Sequence, residues 1–411
     1  MFVELRLAWR NVWRNRRRTG LTVAATVFAV VLVVFFVAMA AGLHEKMIED
    51  SVRVASGHVA LSAPEYLEKG GLEHFIVLDE KLETVLAETP GIRGVAPRIV
   101  SFGLLSKKVS TKGVLVLGVD PEREASVTTL SKRLEEGRFV SADTPYGIVL
   151  GGRLAHSLDA QIGDELLLYS IAYSLETAYA LFRVTGIMHL PEAELDRSIS
   201  VIRLADAQEF FVYGDRVSEV AILVEDADHA PSVQAALARR LDNGQSIEVH
   251  LWNEIIPELE QFILLDDAGM YIMLVILVVV VAFGILNTIL MAVLERKQEF
   301  GVMLALGLRP IAVFRLVYLE SLMLATVGLV LGLAIGIVLV LWFQAHPIPL
   351  AGEEMQAMIE MFGFEPVLTW KLKPLNLIGS TLTILGVAIL AALYPSIKAS
   401  RGRPVDVLRS L

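Results

Sequence analysis

Residues 271–294 read YIMLVILVVVVAFGILNTILMAVL and run straight into Glu295-Arg296-Lys297. An unbroken apolar run of this length is what an α-helix needs to cross a hydrocarbon core about 30 Å thick. The basic residues that stop it mark a cytoplasmic end by the positive-inside rule. Working outward, three further stretches meet or approach the same length: Leu21 to Leu43, Leu316 to Phe343 and Leu377 to Tyr394. The first follows Arg6, Arg10, Arg14 and the run Arg16-Arg17-Arg18, and the last runs into Lys398, Arg401, Arg403 and Arg409. The expected topology therefore has four transmembrane helices and cytoplasmic termini, with His44 to Gly269 and the shorter segment Gln344 to Pro374 outside.

The composition agrees. Of 411 residues 55% are hydrophobic and the mean hydropathy is +0.59, too apolar for an ordinary soluble chain. The net charge of -10 is segregated: His44 to Gly269 carries 20 Lys/Arg against 37 Asp/Glu, and the rest 16 against 9. An acidic middle argues against nucleic acid as a partner, because phosphate neutralisation needs clustered cations. With no cysteine, disulfides, thiolate metal sites and cysteine nucleophiles are excluded. Ala38-Met39-Ala40 resembles a signal-peptidase site, but the apolar run before it is too long for a signal core and reads as an uncleaved anchor. Three later spans also argue against a twin-arginine signal. In residues 1–20, Arg6, Arg10, Arg14 and Arg17 recur at helical spacing beside Leu5, Trp9 and Trp13. This is the pattern of an amphipathic elbow helix lying in the membrane interface, and the same residues set topology.

The outer segment is read as an α+β domain long enough for a core of its own and for two lobes. Strand-like runs at Gly57–Leu61, Gly113–Gly118, Gly147–Leu150 and Glu165–Tyr169 alternate with helical periodicity over Glu80–Glu88 and Ala230–Leu241. Trp252 to Gln261 leads into the second span, interrupted only by Pro257. It is either a stiff connection or a passive tether.

No chemistry of the chain's own is legible. There is no Gly-Lys dipeptide and hence no phosphate-cradling P-loop. His44-Glu45 begins like a zinc-protease helix, but Ile48 stands where the second histidine belongs. G-x-S-x-G is missing too, and no catalytic, metal-binding or cofactor-binding residues are assigned. Within the spans, Gly328, Gly332 and Gly336 make a small-residue ridge for close helix packing. Asn287 is expected to hydrogen-bond another helix, and Glu320 to pair with Arg315 at the interface as a candidate gating charge.

The connection Glu295-Arg296-Lys297-Gln298-Glu299-Phe300-Gly301-Val302-Met303-Leu304-Ala305-Leu306-Gly307-Leu308-Arg309-Pro310 resembles the E-R-x-x-E-[FI]-G-x-x-x-A-L-G signature of FtsX-like ABC permeases. The ending Tyr394-Pro395-Ser396-Ile397-Lys398-Ala399-Ser400, through Pro404-Val405 to Leu408-Arg409, also resembles that family. The resemblance spans essentially the whole chain and implies a MacB-like, type VII permease architecture of four transmembrane helices plus a large periplasmic domain. It further implies a coupling helix over 295–309 docked on a separate ATPase subunit that carries ATP and Mg, and a second permease protomer, identical or not. Glu295, Arg296, Glu299, Gly301, Ala305, Gly307 and Arg309 become contact or packing positions. Glu295 and Glu299 read as one helical face at i, i+4, and Gly307 before Arg309-Pro310 as a helix stop.

Within the family, Gly118-Val119-Asp120-Pro121, Glu136-Gly137-Arg138 and Gly151-Gly152-Arg153-Leu154-Ala155 with Gly163-Asp164 resemble most the lipoprotein-releasing permeases of the bacterial inner membrane. Macrolide-exporter permeases are similar but usually carry a fused ATPase. The implied function is mechanical transmission from the ATPase to the periplasmic domain, for lipoprotein or lipid extraction from membrane lipid and transfer to a periplasmic carrier. The alternatives are regulation of a periplasmic partner such as a cell-wall hydrolase, export of another amphipathic substrate, and a membrane-anchored periplasmic enzyme.

Overall fold

Among the described residues, four helices are long and apolar enough to cross a membrane: Arg16–Val54, Pro257–Glu295, Pro310–Ala345 and Pro374–Ser400. The computed structural model describes Arg10, residues 16–54, 56–190, 192–241, 247–350, Gly352 and residues 367–401. Apart from Arg10 and residues 16–20, the expected elbow helix lies outside that set, as does the tail beyond Arg401. Every span is longer than its apolar run. Pro257, Pro310 and Pro374 each open a helix, where the missing N–H costs nothing and the fixed φ suits the first turn. The chain divides into a membrane unit (Met1–His44, Ile263–Pro349, Val367–Leu411) and an outer unit (Glu45–Phe262, Leu350–Pro366).

In the membrane unit the glycine ridge of the third helix packs on the first. A Cβ added at Gly328 would lie 2.6 Å from Thr26 Cβ, one at Gly332 2.6 Å from Val30 Cβ, and one at Gly336 3.4 Å from Val34 Cβ. The two rows rise together, so the helices run in the same direction, as alternating spans require. Gly332→Leu is therefore expected to pry the helices apart and lower the thermal midpoint of the detergent-solubilised protein, with overpacking of this kind costing about 1–3 kcal/mol. Gly336→Ala should leave that midpoint nearly unchanged. Equal loss in both variants would count against the ridge as the packing determinant.

Farther along the first helix, a Cβ at Gly42 would sit 2.5 Å from the Thr369 carbonyl oxygen, and Lys371 N–H donates to the Ala38 carbonyl at 2.9 Å. Phe35, Phe343 and Trp370 pack there with ring centroids 4.7–5.2 Å apart. His44 Nε2 lies 2.6 Å from Asp266 Oδ2 and Nδ1 3.4 Å from Asp267 Oδ1, which ties the first helix to the second.

Among the described residues, the main sheet of the outer unit has ten strands: β1 Val59–Ser62, β2 Ile92–Lys107, β3 Ser110–Val119, β4 Leu134–Gly137, β5 Gly147–Gly151, β6 Glu165–Ile171, β7 Thr177–Met188, β8 Ile199–Arg203, β9 Glu219–Val224 and β10 Glu248–Leu251. Their order is β10-β1-β9-β2-β3-β8-β5-β7-β4, and β6 pairs with both β2 and β7. The 16-residue β2 pairs β9 with one half and β6 with the other, so β2-β3-β8-β5-β7-β6 closes on itself as a six-stranded ring. Closure leaves no free edge among these strands. Every strand of the ring sends side chains into one core, including Leu105, Val116, Ile148, Leu168, Phe182 and Ile202. A second core lies under β1 and β9, covered by helices Glu80–Glu88 and Ala230–Leu241.

Buried polar groups pin this unit. Arg98 donates to both oxygens of Glu124, at 3.0 and 2.6 Å, and reaches Glu219 at 3.4 Å. Asp196 accepts from the backbone N–H groups of Gly152, Arg153 and Leu190. A Cβ at Gly151 would meet the Asp196 carbonyl at 2.2 Å, which accounts for the Gly-Gly-Arg passage as a close backbone approach.

His58 is buried at the start of β1 and accepts from the Val224 N–H through Nδ1 at 3.4 Å. Burial pulls its pKa from 6.5 to about 4. The unfolded chain therefore binds the extra proton first as pH falls. The neutral ring's contribution is whole above pH 6.5 and is lost as pH drops toward 4, a change of about 3 kcal/mol. Denaturant titrations at pH 7, 5 and 4 should show that slope, and His58→Asn should flatten it. An unchanged slope in the variant would assign it to other groups.

Candidate functional site: the junction between the second and third spans

The second membrane helix ends at Glu295, a turn at Arg296 breaks it, and a separate helix runs from Lys297 to Ala305. This break corrects the single-helix reading of 295–309. Glu295 and Glu299 lie on different helices: Glu295 is exposed at the end of one, while Glu299 belongs to the next and accepts from Arg296 Nε at 2.8 Å.

Glu320 pairs with Arg296 and not with Arg315. Arg296 Nη1 donates to both Glu320 oxygens, at 2.9 and 2.7 Å, and its guanidinium lies 5.2 Å from the centre of the Phe300 ring. Arg315 is exposed. Both members of the pair are nearly covered, at 11% and 9% side-chain exposure, so the bridge works in a low-dielectric setting rather than in water. Burial by itself would lower the Arg296 pKa, but the carboxylates of Glu320 and Glu299 outweigh it and hold it above its ordinary value. A cavity of ≈ 20 Å³ lined by Thr22, Arg296, Phe300, Glu320 and Ser321 adjoins the pair. That volume is room for about one water.

The short helix turns one side inward. Phe300 joins Ile289, Val293, Val313, Val317, Ala391, Ala392 and Ala399 in a core drawn from three membrane helices. Gly301 is buried, so its place is packing and not an outer contact. The helix ends in a Schellman motif: Leu308 N–H donates to the Met303 carbonyl and Gly307 N–H to that of Leu304, both at 3.1 Å, with Gly307 at φ +92°. A Cβ at Gly307 would meet nothing within 4 Å, so the backbone angle and not space calls for glycine. Arg309 is the N-cap residue of the third membrane helix. Ala305 and Arg309 are exposed.

Reasoning from the motif missed the residues that dominate the outer side. Val302, Leu306, Leu308 and Ile311 are all exposed, Leu306 by 83%, on the connection that also shows Glu295, Lys297 and Gln298 to solvent. Four large apolar residues exposed together on one connecting segment are the kind of surface that marks an interaction site. The only signal in the sequence was apolar residues at positions where a solvated loop prefers polar ones. Asn287, expected to bond a neighbouring helix, is exposed on the second membrane helix, and its side chain makes no hydrogen bond among the described residues.

Residues 271–404 match the FtsX-like permease C-terminal family, and residues 19–240 match the MacB-like periplasmic core domain. The chain is 26% identical to the lipoprotein-releasing system transmembrane protein LolE of Haemophilus influenzae, over 85% of its own length and 84% of that protein. It is 26% identical to the lipoprotein-releasing system transmembrane protein LolC of Xylella fastidiosa, over 89% and 87% respectively. The macrolide export ATP-binding/permease protein MacB of Bdellovibrio bacteriovorus is 23% identical, over 84% of this chain and 51% of that protein.

Proposed function

Because the chain belongs to the FtsX-like ABC permease family and carries a MacB-like periplasmic core domain, it is a multi-pass permease subunit of an ABC transporter, and we propose that it converts ATPase motion into release of a lipid-bearing substrate, most specifically a lipoprotein. The observation that carries this reading is the buried Arg296 clamp. It holds the short helix Lys297–Ala305 through Glu299 and the third membrane helix through Glu320. A force applied to the exposed side of that helix, at Leu306 and its neighbours, reaches the third helix through two charge-assisted bonds. The glycine ridge then passes it to the first helix, whose sequence continues into the outer domain.

In this reading the ATP and Mg belong to a separate ATPase subunit docked on the apolar side of the connection, and a second permease protomer completes the pair. The termini and the connection lie in the cytoplasm and the outer unit in the periplasm, in keeping with the basic flanks of the spans. Asn287, costly to leave in lipid, then faces the second protomer. The lipoprotein assignment follows the similarity to LolE and LolC. A periplasmic carrier would take over the acylated product.

Depletion of the protein, followed by separation of inner and outer membranes and mass spectrometry, tests the substrate. Lipoproteins should accumulate broadly in the inner membrane. A normal distribution would remove the lipoprotein assignment and favour regulation of a periplasmic partner.

A further inference from the structure

Part of the six-stranded ring breaks the rule that an antiparallel sheet is apolar toward its core and polar toward water. Leu166, Leu168 and Phe182 fill the ring, yet the outward residues beside them are apolar as well: Phe102 and Leu104 on β2, Tyr169 and Ile171 on β6, Tyr179 and Leu181 on β7, all exposed. Leu104 pairs with Tyr169 and Tyr169 with Tyr179, so these side chains form one patch across three strands. Part of it opens into a groove of ≈ 890 Å³ whose walls are the loop Gly71–Glu73, residues 101–104 of β2, and the β6–β7 turn through Leu175. That volume lies within the range of small-molecule sites, about 300–1,000 Å³.

The turn residue Leu175 adds an independent sign. It sits at φ +63°, a conformation that suits glycine or asparagine, and its side chain is 86% exposed. Neither local backbone preference nor burial explains a leucine there. The turn itself is held in place, since Tyr173 N–H donates to the Phe211 carbonyl at 2.9 Å and the Tyr173 ring carries the Arg216 guanidinium at 4.7 Å.

We propose that this groove binds an acyl chain of the transported substrate, one whose head carries no net negative charge. The polar groups of the groove are few and partly engaged: the Ser170 hydroxyl donates to the Phe102 carbonyl at 2.6 Å. A ligand is therefore recognised by apolar contact. Glu73 is the one charged lining residue and has no ion-pair partner among the described residues. Its carboxylate disfavours a lipid with a net negative head, such as phosphatidylglycerol or a free fatty acid, and tolerates one whose head carries no net negative charge. The inference rests on the lipid-bearing substrate proposed above and assigns that substrate a second holding point, away from the membrane spans.

The test uses the full chain in phosphatidylethanolamine nanodiscs with a synthetic dipalmitoyl lipopeptide that carries a diazirine at the end of one acyl chain. Photocrosslinks mapped by peptide mass spectrometry should fall on residues 101–104 and 169–175. An unlabelled lipopeptide should compete, and phosphatidylglycerol should not. Leu175→Asn should cut these crosslinks at least fivefold while the thermal midpoint stays level or rises, because asparagine relieves the backbone. Crosslinks confined to the membrane helices would overturn the groove and leave lipid handling standing. No crosslinks at either place would overturn both readings. Crosslinks unchanged in Leu175→Asn, or displaced equally by phosphatidylglycerol, would remove the specificity claimed for the groove.

Discussion

Glu320→Ala is expected to lower stability by about 3 kcal/mol, the lower end of what breaking a buried ion pair costs, and to uncouple transport from ATP hydrolysis. The substitution leaves the Arg296 guanidinium covered, with Glu299 as its remaining carboxylate partner among the bonds at the junction. The loss belongs mainly to the covered charge left with one carboxylate in place of two and not to the missing attraction, which a second variant can demonstrate. Arg296→Met combined with Glu320→Leu removes both charges from a pocket already lined by Ile289, Val293, Phe300 and Leu324, and replacing such a pair by apolar side chains is often neutral or stabilising. The double variant should regain most of the thermal midpoint in detergent. It should not regain transport, because an apolar contact between the short helix and the third span lacks the directional bonds that make the two move together. Recovery of both properties would show the pair to be structural only. A Glu320→Ala midpoint equal to that of the wild type would remove the clamp from the mechanism altogether.

Leu306→Asp is expected to abolish co-purification of the ATPase subunit while leaving the permease as stable as before, within about 0.5 kcal/mol for an exposed site. At 83% exposure the side chain has almost nothing to lose within the protomer. Placed in the centre of a docked interface, a carboxylate would be desolvated among Val302, Leu308 and Ile311. Loss of a central apolar anchor typically costs 2 kcal/mol or more, which is about 30-fold in Kd. Titration of the purified ATPase against the nanodisc-embedded permease measures it. Gly301→Val makes the contrast: Gly301 is buried on the inner side of the same helix, so that variant should lower the melting midpoint. If the affinity for the ATPase were unchanged in Leu306→Asp, the docking surface would have to lie elsewhere on the chain.

Much of this protein was legible before any coordinates. Hydropathy alone located the four spans, because the bilayer asks only for length and apolarity along one dimension. The helices Glu80–Glu88 and Ala230–Leu241 and the four strand-like runs were equally visible, since side-chain period betrays local structure. The Gly307 stop was readable as well: a left-handed backbone angle favours one residue type.

Other features depended on where distant segments meet. Glu320 lies 24 residues from Arg296 and only five from Arg315. Proximity in sequence favoured Arg315, but the turn at Arg296 aims its guanidinium back at the third helix, and burial of that junction selects the pair. The same turn parts Glu295 from Glu299, a separation that no i, i+4 count anticipates. Ring closure in the outer unit joins β6 to β2 across some 60 residues, and the groove exists only because that pairing brings Phe102 and Leu104 beside Tyr169 and Ile171. The sequence by itself determined four membrane spans and an acidic outer domain, because solvent preference and backbone propensity act on each segment separately. Only the tertiary structure decided which charges pair, which apolar residues stay uncovered and where a ligand fits, because those depend on contacts between segments whose relative placement no local pattern encodes.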